Sequence, residues 1–185
     1  KGTKVGSIGN GGSFSFQASK NLTAGEGGAI TTNDEELYDR CFSIHHCGRD
    51  MKKGIWYDHP ILGTNARMTE WQAAILNAQM DKLDRQLELR MKNAAYLNNR
   101  LKEIPCTGIM TPDERVTKNA YHLFIFKYFA DKCKGLPREK FIEALKAEGI
   151  PCAPGYVCLY RQGLLTSPQA KRYLRADANY DIFLP

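Results

Sequence analysis

The residues most able to do chemistry lie between Ser13 and Gly28, in the run S-F-S-F-Q-A-S-K-N-L-T-A-G-E-G-G. One lysine, Lys20, sits there among small, hydroxyl-bearing and glycine residues, with no other charge before Glu26. Small residues let backbone and ligand approach closely. Ser15, Ser19 and Thr23 offer hydroxyls to a phosphate, and backbone N–H groups of a glycine-rich turn form an anion-binding nest. A lysine with few charged neighbours is open to desolvation, which frees its amine as a nucleophile. These properties together describe a lysine that forms a Schiff base with a phosphate-bearing aldehyde. The same residues also describe a solvated lysine on a glycine-rich loop, and composition alone does not choose between the two.

The elements that would position this segment are legible in part. Gly27–Thr32 reads as a short strand after a glycine pair. Asn33-Asp34 can cap a helix, with Glu35 and Glu36 in its first turn, Leu37, Cys41, Ile44 and His45 on one face, and Gly48 as its stop. Gly54, Pro60 and Gly63 mark residues 49–65 as a loop. Thr69 then caps the longest helical stretch. Trp71, Ala74, Ile75 and Ala78 recur at helical spacing, and Leu83, Leu87, Met91, Ala94, Leu97 and Leu101 continue the stripe after a phase slip near Met80. Pro105 ends it. Tyr121–Phe129 reads as a strand rich in aromatic and β-branched residues, and Pro137 as the first position of a helix closed by Gly149. Residues 150–163 read as irregular, and Ser167-Pro168 as the start of a short helix.

Composition narrows the class. With 43% hydrophobic and 25% charged residues, the chain is neither disordered nor fibrous. No apolar run approaches the ~18 residues of a membrane span. The six cysteines are dispersed without a C-x-x-C pair, which argues against a zinc site and for reduced thiols in a cytoplasmic protein. Residues 1–60 are balanced in charge, so the net +6 lies wholly beyond residue 60. It is spread thinly, unlike the concentrated patch of a nucleic-acid reader, and is compatible with a phosphorylated small molecule.

Three motifs carry a resemblance to a known family. S-F-Q-A-S-K-N-L-T-A-G-E-G-G, from Ser15 to Gly28, resembles the Schiff-base signature of the DegT/DnrJ/StrS family. G-T-N-A-R-M-T-E-W-Q-A-A, from Gly63 to Ala74, resembles the family's G-x-N-x-R-M-x-E-x-Q-A-A. G-Y-V-C-L-Y-R, from Gly155 to Arg161, resembles G-Y-x-P-L-Y of its cyclitol and aminobenzoate branch, with Cys158 in place of the proline. The family comprises pyridoxal 5′-phosphate (PLP)-dependent aminotransferases of fold type I. They serve amino-sugar and aminocyclitol biosynthesis for polysaccharides and antibiotics. The resemblance spans essentially the whole chain.

It implies an α/β fold in partial form. Residues 1–65 would be the end of the large cofactor-binding domain, 66–104 a long connecting helical segment, and 105–185 a small α/β domain. Lys20 would hold the cofactor and shuttle the proton between substrate carbon and cofactor C4′. Ser15 would bind the cofactor phosphate. Asn65 would reach the phosphate in a neighbouring subunit, which implies a homodimer with shared active sites. Arg67 would hold the Asn65 loop or touch substrate. Tyr156, Tyr160 and Arg161 are candidates for the acceptor pocket. Glu26-Gly-Gly28 would shape the turn, His45 and His122 would pack or hydrogen-bond rather than act as acid–base groups, and His46–Arg49 matches a family element of unassigned role. The reaction implied moves an amino group from glutamate or glutamine to a keto-sugar or keto-cyclitol, free or nucleotide-linked, with no metal, nucleic acid or membrane partner.

The family's pyridinium aspartate, stacking aromatic and glycine-rich phosphate turn are expected upstream of Lys1. The chain therefore reads as a piece of a longer enzyme, inactive alone. Two further readings remain: a PLP-dependent sugar dehydratase of the same family, in whose best-known branch a histidine replaces the Schiff-base lysine, and a catalytically dead remnant acting only in assembly.

Overall fold

The computed structural model describes residues 2–50, 52 and 57–156. The chain divides into two compact units, Lys1–Lys127 and Tyr128–Pro185. The expected helix at Ser167-Pro168 lies outside the described residues.

In the first unit, β1 (Gly12–Ser15) pairs antiparallel with β2 (Gly28–Thr31), with Ser15 opposite Gly28. Residues 16–27 connect them and carry Lys20. β2 is the strand expected at 27–32. Residues 2–11 contain no strand or helix and are held to the hairpin by side chains: Thr31 Oγ1 donates to Gly6 O (2.8 Å) and Thr32 Oγ1 to Asn10 O (2.5 Å).

Helix α1 (Glu35–His45) begins as its residues dictate: Asp34 Oδ1 accepts from Leu37 N at 3.0 Å, with Glu35 and Glu36 against the positive end of the dipole. Its other end shows how the neighbouring loop is held. The last four carbonyls of a helix have no intrahelical partner. Here Phe42 O accepts from His46 N (3.1 Å), and Ser43 O from Gly48 N (2.7 Å). Ile44 O accepts from Thr64 N (2.8 Å), and His45 O from Ala66 N (3.0 Å). The loop before α2 thus finishes α1, and a bridge between His46 and Asn65 extends the seam.

Two glycines make this approach possible. A Cβ on Gly48 would overlap the Ile61 carbonyl oxygen, and one on Gly63 would overlap Gly48 N and lie 2.7 Å from Ile44 O. Gly48 also has φ +82°, in the left-handed region. It was expected as a helix stop, and it is also half of a backbone-to-backbone contact.

Helix α2 (Glu70–Leu101) is unbroken, with Thr69 as N-cap in a reciprocal capping box with Gln72. Its inward face runs Gln72, Leu76, Gln79, Leu83, Leu87, Met91, Ala94, Asn98, Leu101, with Leu76 and Ala94 buried. Leu83, Leu87, Met91, Ala94 and Leu101 of the expected stripe are therefore inward, whereas Leu97 is 41% exposed and Asn98 takes its place. The first half of the stripe is not inward: Trp71 is 82% exposed and Ile75 47%, and Ala74 and Ala78 are exposed too. The helix does not slip near Met80; the apolar pattern lies one residue off the face on which the described segments pack. Among the described residues the buried apolar side chains are Ala24, Leu76 and Ala94.

β3 (Thr107–Ile109) and β4 (Phe126–Tyr128) form a second two-stranded sheet. The strand expected over Tyr121–Phe129 is thus confined to three residues. β3 offers only a three-residue edge, and Tyr121 at φ +42° interrupts the extended run. In the second unit the Tyr128 ring stacks on Phe141 (4.4 Å between centroids), and its hydroxyl donates to Leu136 O (2.8 Å). That fixes α3 (Arg138–Ala147), which ends before Gly149 as read from sequence but starts one residue later than expected, with Pro137 as its extended N-cap rather than its first helical residue.

The glycine contact gives the first test. Gly48→Ala or Gly63→Ala is expected to lower stability by about 2–4 kcal/mol, combining left-handed strain or steric overlap with loss of the α1 end bonds. Gly9→Ala, where a Cβ meets open space, is expected to change it by less than about 0.5 kcal/mol. Urea midpoints of the three variants check this ordering.

Candidate active site

The Lys20 loop closes at its base through backbone hydrogen bonds: Phe16 N donates to Gly27 O (2.8 Å) and Ala24 N to Phe16 O (3.0 Å). Lys20 N donates to Gln17 O (2.9 Å), turning the chain sharply at the lysine. Asn21 Nδ2 donates to Ala120 O (2.6 Å), and Arg90 of α2 to Tyr121 O (3.3 Å), so residues 120–121 brace the loop beside Lys20. The lysine is half-buried, and among the described residues no hydrogen bond or ion pair occupies its amine.

The three hydroxyls of this segment are not equivalent. Thr23 Oγ1 donates to Phe16 O (3.1 Å), and Ser19 Oγ to Gln17 Oε1 (2.6 Å). Both have spent their hydrogens on the loop. Ser15 Oγ accepts from Gln17 N (3.3 Å), and its own hydrogen has no acceptor among the described residues. Of the three, Ser15 is the one with a hydrogen to give to an anion.

Asn65 and Arg67 lie on the loop that finishes α1. Arg67 Nε donates to Asn65 Oδ1 at 2.9 Å. Arginine has only donors, so the atom it meets must be the amide oxygen, which leaves the Asn65 N–H₂ free to donate. Both residues are exposed, and among the described residues no hydrogen bond joins either to Ser15 or Lys20. The structure thus places Ser15 at the end of β1 and Lys20 on the loop that follows it, with Asn65 and Arg67 together on another loop. Tyr156 is 84% exposed and belongs to the second unit; Tyr160 and Arg161 lie outside the described residues.

Sequence reasoning left His46 without a role. It is buried and supplies the backbone bridge to Asn65. Burial, with Arg67 and Arg49 nearby and His45 and His59 adding smaller repulsions, holds its imidazole below the ordinary histidine range. His45, expected to pack or hydrogen-bond, donates from Nδ1 to Phe42 O at 2.6 Å.

A histidine whose folded pKa is depressed contributes stability that is present above its unfolded value, about 6.5, and is lost as pH falls through the folded value. The thermal stability of the wild type is therefore expected to fall as pH drops below about 6.5, and His46→Gln to flatten that slope. An equal slope in the variant would assign it to other groups.

The family model described as the DegT/DnrJ/EryC1/StrS aminotransferase family matches residues 1–181. An L-glutamine:2-deoxy-scyllo-inosose aminotransferase of Streptoalloteichus tenebrarius is 35% identical over 182 residues, covering 94% of this chain and 43% of its own. Among solved structures, 3-amino-5-hydroxybenzoic acid synthase superposes with a TM-score of 0.78 at 31% identity, over 89% of this chain and 43% of its own. The GDP-4-keto-6-deoxy-D-mannose-3-dehydratase of E. coli, solved with bound hydrated PLP, gives 0.72 at 27% identity, over 83% and 42%. The chain thus spans less than half the length of these relatives. With the family model matched over nearly every residue, the chain belongs to the DegT/DnrJ/EryC1/StrS aminotransferase family.

Proposed function

We propose that the protein carrying this sequence is a PLP-dependent aminotransferase that moves an amino group from glutamine or glutamate to a keto-cyclitol or keto-sugar. The observation that carries the reading is Lys20. The residue is half-buried and its amine unengaged among the described residues, on a backbone-closed loop that follows Ser15, whose hydroxyl hydrogen has no acceptor among them. This donor set fits a phosphate-bearing aldehyde: an amine for the carbonyl carbon, and the Ser15 O–H with the Asn65 N–H₂ for phosphate oxygens. When bound, the cofactor supplies an electron sink for the substrate Cα–H bond.

Lys20 attaches the cofactor through Nζ and, once released, carries the proton between the substrate carbon and cofactor C4′. Ser15 donates to the phosphate within its own chain. Asn65 donates to the phosphate of a second subunit, with Arg67 fixing which face of the amide points outward. That makes the enzyme a homodimer with shared sites. Tyr156, Tyr160 and Arg161 are the residues proposed to recognise the acceptor. Residues 1–65 act as part of the cofactor-binding domain, 66–104 as the connector and 105–185 as the small domain. The curated relatives named for glutamine and scyllo-inosose support a cyclitol acceptor. Among the described residues no helix is long and apolar enough to cross a membrane; the cytoplasm is the compartment proposed. The dehydratase among the structural relatives marks the neighbouring chemistry. Lys20 favours transamination over the histidine-bearing dehydratase branch.

Treating the intact protein with PLP and borohydride should place a phosphopyridoxyl group on Lys20 by mass spectrometry, and a label on another lysine would end the reading. Loss of a charge-assisted bond worth about 1.5–3 kcal/mol predicts that Asn65→Ala raises the PLP dissociation constant about 10- to 150-fold. Mixing Lys20→Ala with Asn65→Ala subunits, under conditions where subunits exchange, should restore part of the activity, because each mixed dimer then has one undamaged site. No restoration would place Asn65 in its own chain's site.

A further inference from the structure

The cap of α2 and the Lys20 loop meet in one side chain. Gln72 Oε1 accepts from Thr69 N (2.9 Å) and Thr69 Oγ1 (3.0 Å), closing the capping box. Gln72 Nε2 donates to Glu26 O at 2.9 Å, across the gap to the loop that carries Lys20. The amide's orientation is fixed by its partners: a backbone N–H only donates and a carbonyl only accepts, so oxygen must face Thr69 and nitrogen must face Glu26. A capping box accepts glutamate or glutamine equally at this position. Only glutamine also supplies a donor to the Glu26 carbonyl, so helix capping alone does not account for the residue found here.

The contact has a second point. The methyl carbon of Met68 lies 3.2 Å from where a Cβ on Gly27 would stand, so the start of α2 rests on the loop's closing residue. Glu26 and Gly27 are the shoulder at which the loop returns to β2, and Gly27 O takes the Phe16 N–H that closes its base. Upstream of Thr69 the same chain runs through Arg67 and Asn65 to the seam on α1. The Gln72 amide therefore joins the two loops that carry the candidate site residues.

We propose that Gln72 is a positioning residue for Lys20, its amide N–H₂ holding the Glu26 carbonyl and so registering the lysine loop against the start of α2 and the Asn65 loop. The proposal rests on the reading of Lys20 as the cofactor-bearing lysine. Gln72→Glu keeps an acceptor for Thr69 and so keeps the cap, but sets a carboxylate against the Glu26 carbonyl. Thr69→Ala does the converse, losing the cap hydroxyl while keeping the tether.

The test compares these two variants in the intact protein. Amide hydrogen exchange, without cofactor, is read at Phe16, Lys20 and Ala24 for the loop and at Ala73 for the first turn of α2. Loss of one hydrogen bond corresponds to roughly 3- to 10-fold faster exchange. Gln72→Glu is expected to show this at the three loop amides and leave Ala73 protected; Thr69→Ala is expected to show the reverse. At sub-saturating PLP, borohydride labelling of Lys20 should fall several-fold in Gln72→Glu and stay near wild type in Thr69→Ala. Loop exchange unchanged in Gln72→Glu overturns the tether. Faster loop exchange with undiminished labelling overturns the positioning role. Labelling of Lys20→Ala to the wild-type extent overturns the function proposed above and with it the cofactor half of this inference, while the exchange data still decide the tether.

Discussion

The arrangement depends on the unfinished carbonyls at the end of α1. A helix that stops against protein must find donors for them, and here two come from Thr64 and Ala66, on a loop distant in sequence. That is possible only because Gly48 and Gly63 let two backbones touch. The contact places Asn65 opposite His46 and leaves the chain at Met68 and Thr69, where α2 begins. The position of one candidate ligand group is thus set by a hydrogen-bond requirement of a helix that contributes no ligand itself.

The Lys20 loop is built on a different economy. It contains little to bury, Ala24 being its one buried apolar residue, so packing alone would not order it. Order comes from backbone closure between Phe16 and Gly27, from the Ser19 and Thr23 hydroxyls bonded within the loop, from Asn21 reaching Ala120 O, and from Gln72 reaching Glu26 O. Spending those hydroxyls on the loop leaves Ser15 and Lys20 as the groups free to meet a ligand. Elsewhere in the first unit, large apolar side chains such as Trp71 and Leu62 are turned outward. The chain also spans less than half of its relatives.

Local signals were legible and pairwise ones were not. The Asp34 and Thr69 caps, the α2 span and the β2 strand follow from residue type and spacing, because a cap or a period is decided within one turn. The segment around Lys20 stood out in the sequence, since a lone lysine among small residues is itself a pattern. The Tyr121–Phe129 strand was read too long, because strand length is set by the partner edge, here three residues of β3. The Trp71–Ala78 stripe was placed inward although the described segments pack one residue round the helix. His46, the Gly48–Gly63 contact and the Gln72 tether could not be read, since each depends on a residue far away in sequence.

The central claim is that this loop holds an aldehyde that bears a phosphate. Comparing the affinity of the intact protein for PLP and for pyridoxal, which lacks the phosphate, tests it most directly. The account expects PLP to bind at least 10- to 150-fold more tightly, the worth of about one charge-assisted bond, and expects Ser15→Ala to remove much of that difference. Equal affinity for the two aldehydes, or a preference untouched by Ser15→Ala, would contradict it.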